Sequence, residues 1–192
     1  AQDKENTMAR KAMITEEALL SSAFDLIREE GFEQVTARKL AAKAGCSTQP
    51  IFRLYESMEQ LIGEVYARAI RYFAAFYHSH PGNSGYPFVS LGMAYIRFAS
   101  EEKQLFRLLF LSQHRGEKSM YELLNGEDGT ITREVAHASK MGCAKPQELF
   151  MKMWIFVHGA ACMTITGDYD LTEAQTKSLL ESSCKAWSGI ER

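Results

Sequence analysis

The sequence is poor in the features that mark an enzyme, a disulfide scaffold or a membrane protein. It contains no HExxH, GxSxG, P-loop or GxGxxG pattern, and no nucleophile stands paired with a base along the chain, so no catalytic residue is expected. Its four cysteines, Cys46, Cys143, Cys162 and Cys184, lie far apart without CxxC spacing, which points to reduced thiols in a cytoplasmic protein. His78 and His80 are two residues apart and would not share a helix face; with no Cys or acid at ligand spacing, neither a metal nor a cofactor is expected. No uninterrupted apolar run approaches the roughly eighteen residues of a membrane span, and no charged-then-apolar leader is expected, so no membrane partner is expected either. There is also no large excess of one charge: the formal net charge is −2 and the pI about 6.3. That excludes a nonspecific nucleic-acid coat and confines any DNA contact to a local patch.

What is there is helical. The 192 residues, 46% hydrophobic, suffice for one large or two small helical domains. The chain is organised around residues 36 to 55, TARKLAAKAGCSTQPIFRLY. Leu40 and Ala41 offer an apolar side to one short helix, and Ile51, Leu54 and Tyr55 to another. Between them Gly45 suits a C′ position with positive φ and Ser47 suits an N-cap, which is the layout of a helix-turn-helix. This stretch carries Arg38, Lys39, Lys43 and Arg53 and no acid, whereas residues 1 to 35 hold eight acids against four bases. An isolated basic face suits phosphate binding, although a plain helical hairpin with a basic solvated face has the same spacing. Cys46, in the turn, is either a small buried hydrophobe or a redox-sensitive thiol.

Taken in order, residues 1–12 read as a polar, frayed tail and 13–56 as a helix-turn-helix domain. Thr15 is expected to cap a helix running to about Glu30, Gly31 to end it, and Thr36 to cap the next with its first amides left for a phosphate. The third helix is expected to start at Ser47 with Pro50 in its first turn. A capping box at Ser57 to Gln60 opens a helix over 57–77, the link to a C-terminal domain spanning 57–192. Further helices are predicted over 88–100, 102–112, 121–124 and 132–140, then from Pro146 to about Thr166, and from a second capping box at Thr172 to about Trp187. The last two are apolar beyond one face, which predicts a four-helix homodimer interface built from 146–166 and 172–187. The fold class is therefore all-α: a three-helix head, a long linking helix and a helical bundle.

These residues resemble the tetracycline repressor (TetR) family of bacterial transcriptional regulators. From Ala18 through Leu61 the resemblance rests on Glu29-Glu30-Gly31-Phe32, Val35-Thr36, Leu40-Ala41, Ala44-Gly45, Ser47 and Ile51-Phe52-Arg53-Leu54-Tyr55, followed by Ser57 and Glu59. Trp154, His158 and Gly159, with Tyr95-Ile96-Arg97-Phe98-Ala99 and Leu105-Phe106-Arg107-Leu108 upstream, resemble its subgroup with a Trp-His-Gly C-terminal domain.

The resemblance implies a homodimer that binds a palindromic double-stranded DNA operator and leaves it when a small-molecule inducer enters the C-terminal domain. The two Ser47 helices would enter successive major grooves about 34 Å apart. Thr48, Gln49 and Arg53 are the expected base readers, with Pro50 and Phe52 against a thymine methyl, and Thr36, Arg38, Lys39 and Tyr55 on phosphates. Phe52, Leu54 and Met58 depart from the family pattern, each at the expense of a backbone contact, which predicts a shallower salt dependence. Candidate pocket residues are Met93, Tyr95, Phe106, Phe110, Met120, Tyr121, Met153, Trp154 and His158, an aromatic and Met-rich set suited to an apolar ligand. Two other classes remain open: a helical dimer that kept the fold but lost DNA binding and serves as a ligand- or partner-binding module, and a small helical enzyme.

Overall fold

Local signals start and stop most helices of the computed structural model, which describes residues 14–80, 82, 84–116 and 119–189. The expected tail over 1–12 lies outside the described residues. Thr15 accepts a hydrogen bond from the Ala18 amide and opens α1 (Glu16–Glu30), with Glu16 and Glu17 in the positive first turn. Gly31, at φ +93°, ends it, and a 3-10 turn over Phe32–Gln34 leads to α2 (Ala37–Lys43), whose cap is the Thr36 hydroxyl on the Lys39 amide.

The corner after α2 is closed by backbone alone. The Gly45 amide donates to the Ala42 carbonyl at 3.2 Å and the Cys46 amide to the Ala41 carbonyl at 2.9 Å, the two bonds of a Schellman motif. Gly45 holds φ +65° there, and a Cβ on it would meet nothing within 4 Å. Gly45→Ala is therefore expected to cost only the left-handed backbone, about 1–2 kcal/mol. That loss would appear as a lower urea midpoint at unchanged slope; an unaltered midpoint would contradict it.

The next helix starts later than the sequence predicts. It is α3 (Gln49–Leu54), and its N-cap is Thr48, itself in helical φ/ψ and without a side-chain cap bond. Ser47 is thus outside the helix, because the Schellman closure uses the residues through Cys46 and leaves two more to complete the corner. Pro50 falls in the first turn as expected, where a missing N–H costs little.

The linking helix α4 (Met58–Ser79) has Ser57 as its cap, accepting from the Gln60 amide. Gln60 reaches back one residue further than a capping box requires, to the Glu56 amide at 2.7 Å. Leu61, Ile62, Val65, Tyr66, Ala69 and Phe73 bury one stripe of α4 against the head on one side and the bundle on the other.

The bundle contains α5 (Val89–Glu101), α6 (Lys103–Phe106), α7 (Met120–Asn125), α8 (Thr130–Lys140), α9 (Pro146–Thr166) and α10 (Glu173–Ser188). After Phe106 the chain forms one π turn over Arg107–Leu111, where the apolar pattern predicts plain α-helix. The Tyr66 hydroxyl donates to the Leu109 carbonyl in that turn at 3.2 Å. A capping box at Ser119 and Glu122 opens α7, and the Thr172–Gln175 box opens α10 as predicted. α5 runs along α9, and both touch α10. Gly92 permits this approach, since a Cβ there would stand 2.8 Å from Val157 Cγ2. No strand occurs among the described residues.

By length and composition α9 is apolar enough to cross a membrane, and with only 33% of its most apolar window buried much of its apolar surface stays open. Glu148 pairs with Lys152 near its start, at 2.8 Å. Its open side carries Met151, Ile155, Gly159 and Met163 at four-residue spacing, and α10 leaves Leu179 and Trp187 exposed. Apolar residues all round suit a helix with one side in its own bundle and another against a second copy.

Candidate nucleic-acid interface and effector region

Burial of Ile51 and Tyr55 fixes which way α3 faces. Thr48, Gln49, Phe52 and Arg53 all point to solvent, at i, i+1, i+4 and i+5 on one side of the helix, with Ser47 exposed at its foot and Pro50 half-buried. Phe52 is 58% exposed, so its ring does not pack into the head. Leu54 and Met58, by contrast, lie against the core. Thr36 and Arg38 are exposed at the start of α2, where the Ala37 and Arg38 amides are first-turn donors beside the one that Thr36 caps.

Two features differ from the expectation of an isolated basic face. Lys39 Nζ sits 2.6 Å from Glu30 Oε2, and Lys43 Nζ sits 2.6 Å from Glu29 Oε2, because the C-terminal end of α1 lies alongside α2. Both pairs are exposed and therefore weak, so opening either would cost little. Tyr55 is away from the reading surface. Its ring is buried and its hydroxyl donates to Glu64 at 3.2 Å, and burial pushes that hydroxyl well above its ordinary pKa. That hydroxyl is occupied by a carboxylate of the linking helix α4.

The candidate pocket residues divide into groups. Tyr95 is the centre of one, with ring centroids 5.2 Å from Phe106, 4.7 Å from Phe110 and 5.2 Å from Trp154. Its hydroxyl meets His158 Nδ1 at 3.0 Å, and His158 Nε2 stands 3.6 Å from Cys162 Sγ. These aromatics fill their own space: the void beside Tyr95, Met153 and Trp154 measures about 20 Å³. Tyr121 packs edge-on against Phe150 at 5.7 Å, and Met120 is half-buried at the start of α7. Met93 lines a different feature, a groove of about 520 Å³ between α5 and α10. That volume lies within the usual range for small-molecule sites. Its floor is Val89, Ala94 and Ile96, and its wall includes Arg97, Glu173, Thr176 and Lys177. The Arg97 guanidinium pairs with Glu173 at 2.8 Å.

Burial lowers the pKa of His158 from its ordinary value, which favours the neutral ring. Burial raises both the Tyr95 hydroxyl and the Cys162 thiol, so all three groups are favoured uncharged. A histidine depressed in the folded state leaves the unfolded chain to take up the proton first. Its stability contribution is complete above the unfolded value, about pH 6.5, and is lost as the pH falls through that value towards the folded one. The melting temperature is expected to fall between about pH 7.5 and about pH 5.5, and to fall less in His158→Asn. Equal losses in the two proteins would place the titrating group elsewhere.

Sequence reasoning passed over Arg97, Thr176 and Lys177, because an aromatic and Met criterion ignores charged groove walls. It also passed over Arg28, Tyr72 and Glu102, which meet only in space.

Comparison with known proteins gives two regional matches and a shared fold. Residues 19–65 match the family described as bacterial regulatory proteins, tetR family, and residues 88–186 match the tetracyclin repressor-like C-terminal domain. The second match does not single out a Trp-His-Gly subgroup. A TetR-family putative transcriptional regulator from Vibrio parahaemolyticus is 20% identical, with TM-score 0.64 over 89% of this chain and 97% of that one. A putative regulator from Shewanella sp. PV-4 is 18% identical, with TM-score 0.63 over 88% and 94%. One from Pseudomonas aeruginosa PAO1 is 16% identical, with TM-score 0.63 over 96% and 97%. At these identities the likeness is one of fold. No curated protein matches the chain.

Proposed function

Because the chain belongs to the TetR family of bacterial regulatory proteins and is a DNA-binding transcriptional regulator, we propose that it is a repressor released from a palindromic operator by a small-molecule effector. Its partners are double-stranded DNA and a second copy of itself. Residues 13–56 serve as the reading head and 57–192 as the effector-binding and dimerising body, with α9 and α10 pairing against their symmetry mates. The observation that carries this reading is the solvent-facing row of Thr48, Gln49, Phe52 and Arg53 on a helix whose other side is buried. Polar groups able to pair bidentately with base edges stand beside an exposed aromatic, with Ser47, Thr36, Arg38 and Lys39 placed for the flanking phosphates.

The effector is expected to be largely apolar, entering either at the Tyr95 cluster or along the Met93 groove. Both lie on α5, so occupancy of either shifts the position of that helix and, through α4, the balance between head orientations. A regulator is favoured over an enzyme by the state of the His158–Cys162 contact. A nucleophilic thiol needs a lowered pKa, and that of Cys162 is raised by burial. We place the protein in the cytoplasm, where its DNA is.

Selection from a random duplex pool tests the reading. The dimer is expected to enrich a two-fold palindrome with half-site centres about 34 Å apart. Enrichment of no sequence even at low salt would overturn it.

A further inference from the structure

A single carboxylate ties the head to the body. Glu102, 6% exposed, sits at the break between α5 and α6, its amide bonded to Phe98 and its carbonyl accepting from the Phe106 amide. From α1, the Arg28 guanidinium donates Nε to Glu102 Oε2 at 2.7 Å and Nη2 to Oε1. From α4, the Tyr72 hydroxyl donates to the same Oε1 at 2.7 Å, and the guanidinium lies 5.3 Å above the Tyr72 ring. Three helices that belong to the head, the link and the body thus converge on two oxygens.

Nearby contacts extend this seat. A Cβ on Gly31 would stand 2.9 Å from Gln104 Oε1, and the Phe32 ring meets the His114 ring edge-on at 5.2 Å. The Lys39–Glu30 and Lys43–Glu29 pairs are internal to the head and exposed. The Arg28 pair differs in kind: a planar two-point contact resists rotation, and separating it would leave a buried carboxylate unpaired.

We propose that Arg28, Tyr72 and Glu102 are positioning residues that lock the reading head at one angle on the body and thereby set which spacing of operator half-sites the dimer accepts. This rests on the reading of α3 as the DNA-facing helix. In a two-fold dimer the angle of each head on its body fixes the distance between the two α3 helices. One inserted base pair moves a half-site by about 3.4 Å and turns it by about 34°, so a locked head rejects it and a loosened head follows it.

Two measurements on the full-length dimer test the lock. The first is the ratio of affinities for the selected palindrome and for the same palindrome with one base pair inserted at its centre. Glu102→Gln, which puts an amide where the guanidinium needs a carboxylate, is expected to shrink this ratio by about tenfold, within the range of site-to-site coupling. Tyr72→Phe removes one hydroxyl and should shrink it less. The second is the distance distribution between spin labels on Ala42→Cys in the two heads without DNA, in a Cys46→Ser, Cys162→Ser background; both variants should broaden it. An unchanged ratio and distribution alongside a lowered melting temperature would reduce the trio to a structural bond and overturn the proposal. Should Glu102→Gln fail to fold, Tyr72→Phe decides by the same two readings. Should the wild type select no palindrome, the DNA reading fails and the distance distribution alone decides: broadening sustains the lock and no broadening overturns it.

Discussion

Replacing Gln49 and Arg53 together by alanine should reduce this protein to nonspecific DNA binding. Both side chains project to solvent from α3, so neither substitution opens a cavity, and the fold is expected to change in stability by no more than about 0.5 kcal/mol for each. A good bidentate base contact contributes about 1–3 kcal/mol of discrimination, so losing two removes about 2–6 kcal/mol from each half-site of the palindrome. That corresponds to a loss of about 30-fold to 10⁴-fold for each half-site, which carries the selected operator down to the level of nonspecific binding. Binding to a scrambled duplex should weaken much less, because Thr36, Arg38 and the first amides of α2 stay in place. Anisotropy titrations of both duplexes at one fixed salt concentration provide the comparison. Equal losses on operator and scrambled DNA would mean that Gln49 and Arg53 touch only the backbone. Phe52→Ala should separate from both: with its ring exposed, its loss leaves the head intact and relaxes the preference at a single thymine-bearing position.

How much of this could be read without coordinates depends on the range of the interaction that decides it. Thr15, Thr36, Pro146 and the Thr172–Gln175 box act within four residues, and the helices they open begin where their spacing predicts. Ser47 shows the limit of such signals. It has the right side chain for a cap, but the closure of the preceding helix consumes the backbone that would place it there. The π turn at Arg107–Leu111 has no apolar signature distinct from an α-helix, because its residues are buried on most sides in either geometry. Charge counted along the chain also misled. Glu29 stands 14 residues from Lys43 and Glu30 nine from Lys39, yet the fold lays each against the other. Arg28 and Glu102, 74 positions apart, have nothing local that marks them as a pair. The aromatic residues of α5, α6 and α9 do converge, around Tyr95, but rings at a helix crossing fill the space between them, so the larger opening lies on another side of α5.

Ile155→Glu should convert the protein to a monomer and, through that alone, abolish tight operator binding. Ile155 is 65% exposed, the most exposed of the large apolar side chains among the described residues, and stands in the row formed with Met151, Gly159 and Met163. Beside it the Phe156 ring meets the Trp187 ring of α10 edge-on at 5.8 Å, which holds the two helices as one apolar surface. In a monomer this surface faces water; burying one Ile or Leu of it contributes about 1.5–3 kcal/mol. Pairing across a two-fold axis buries each such residue twice. A glutamate at 155 would carry an unpaired charge into that contact, and its symmetry mate would carry another beside it, so the penalty is also counted twice. In the monomer the same glutamate is solvated and costs little, so the helical fold should survive. Sedimentation at micromolar concentration should then show a single chain with unchanged helical content. Without a linked second head, operator affinity should fall by about 10²- to 10⁴-fold, although no residue near the DNA has changed. A variant that stays dimeric would move the interface off α9. One that becomes monomeric yet still binds the full palindrome tightly would show that each head reads its half-site alone.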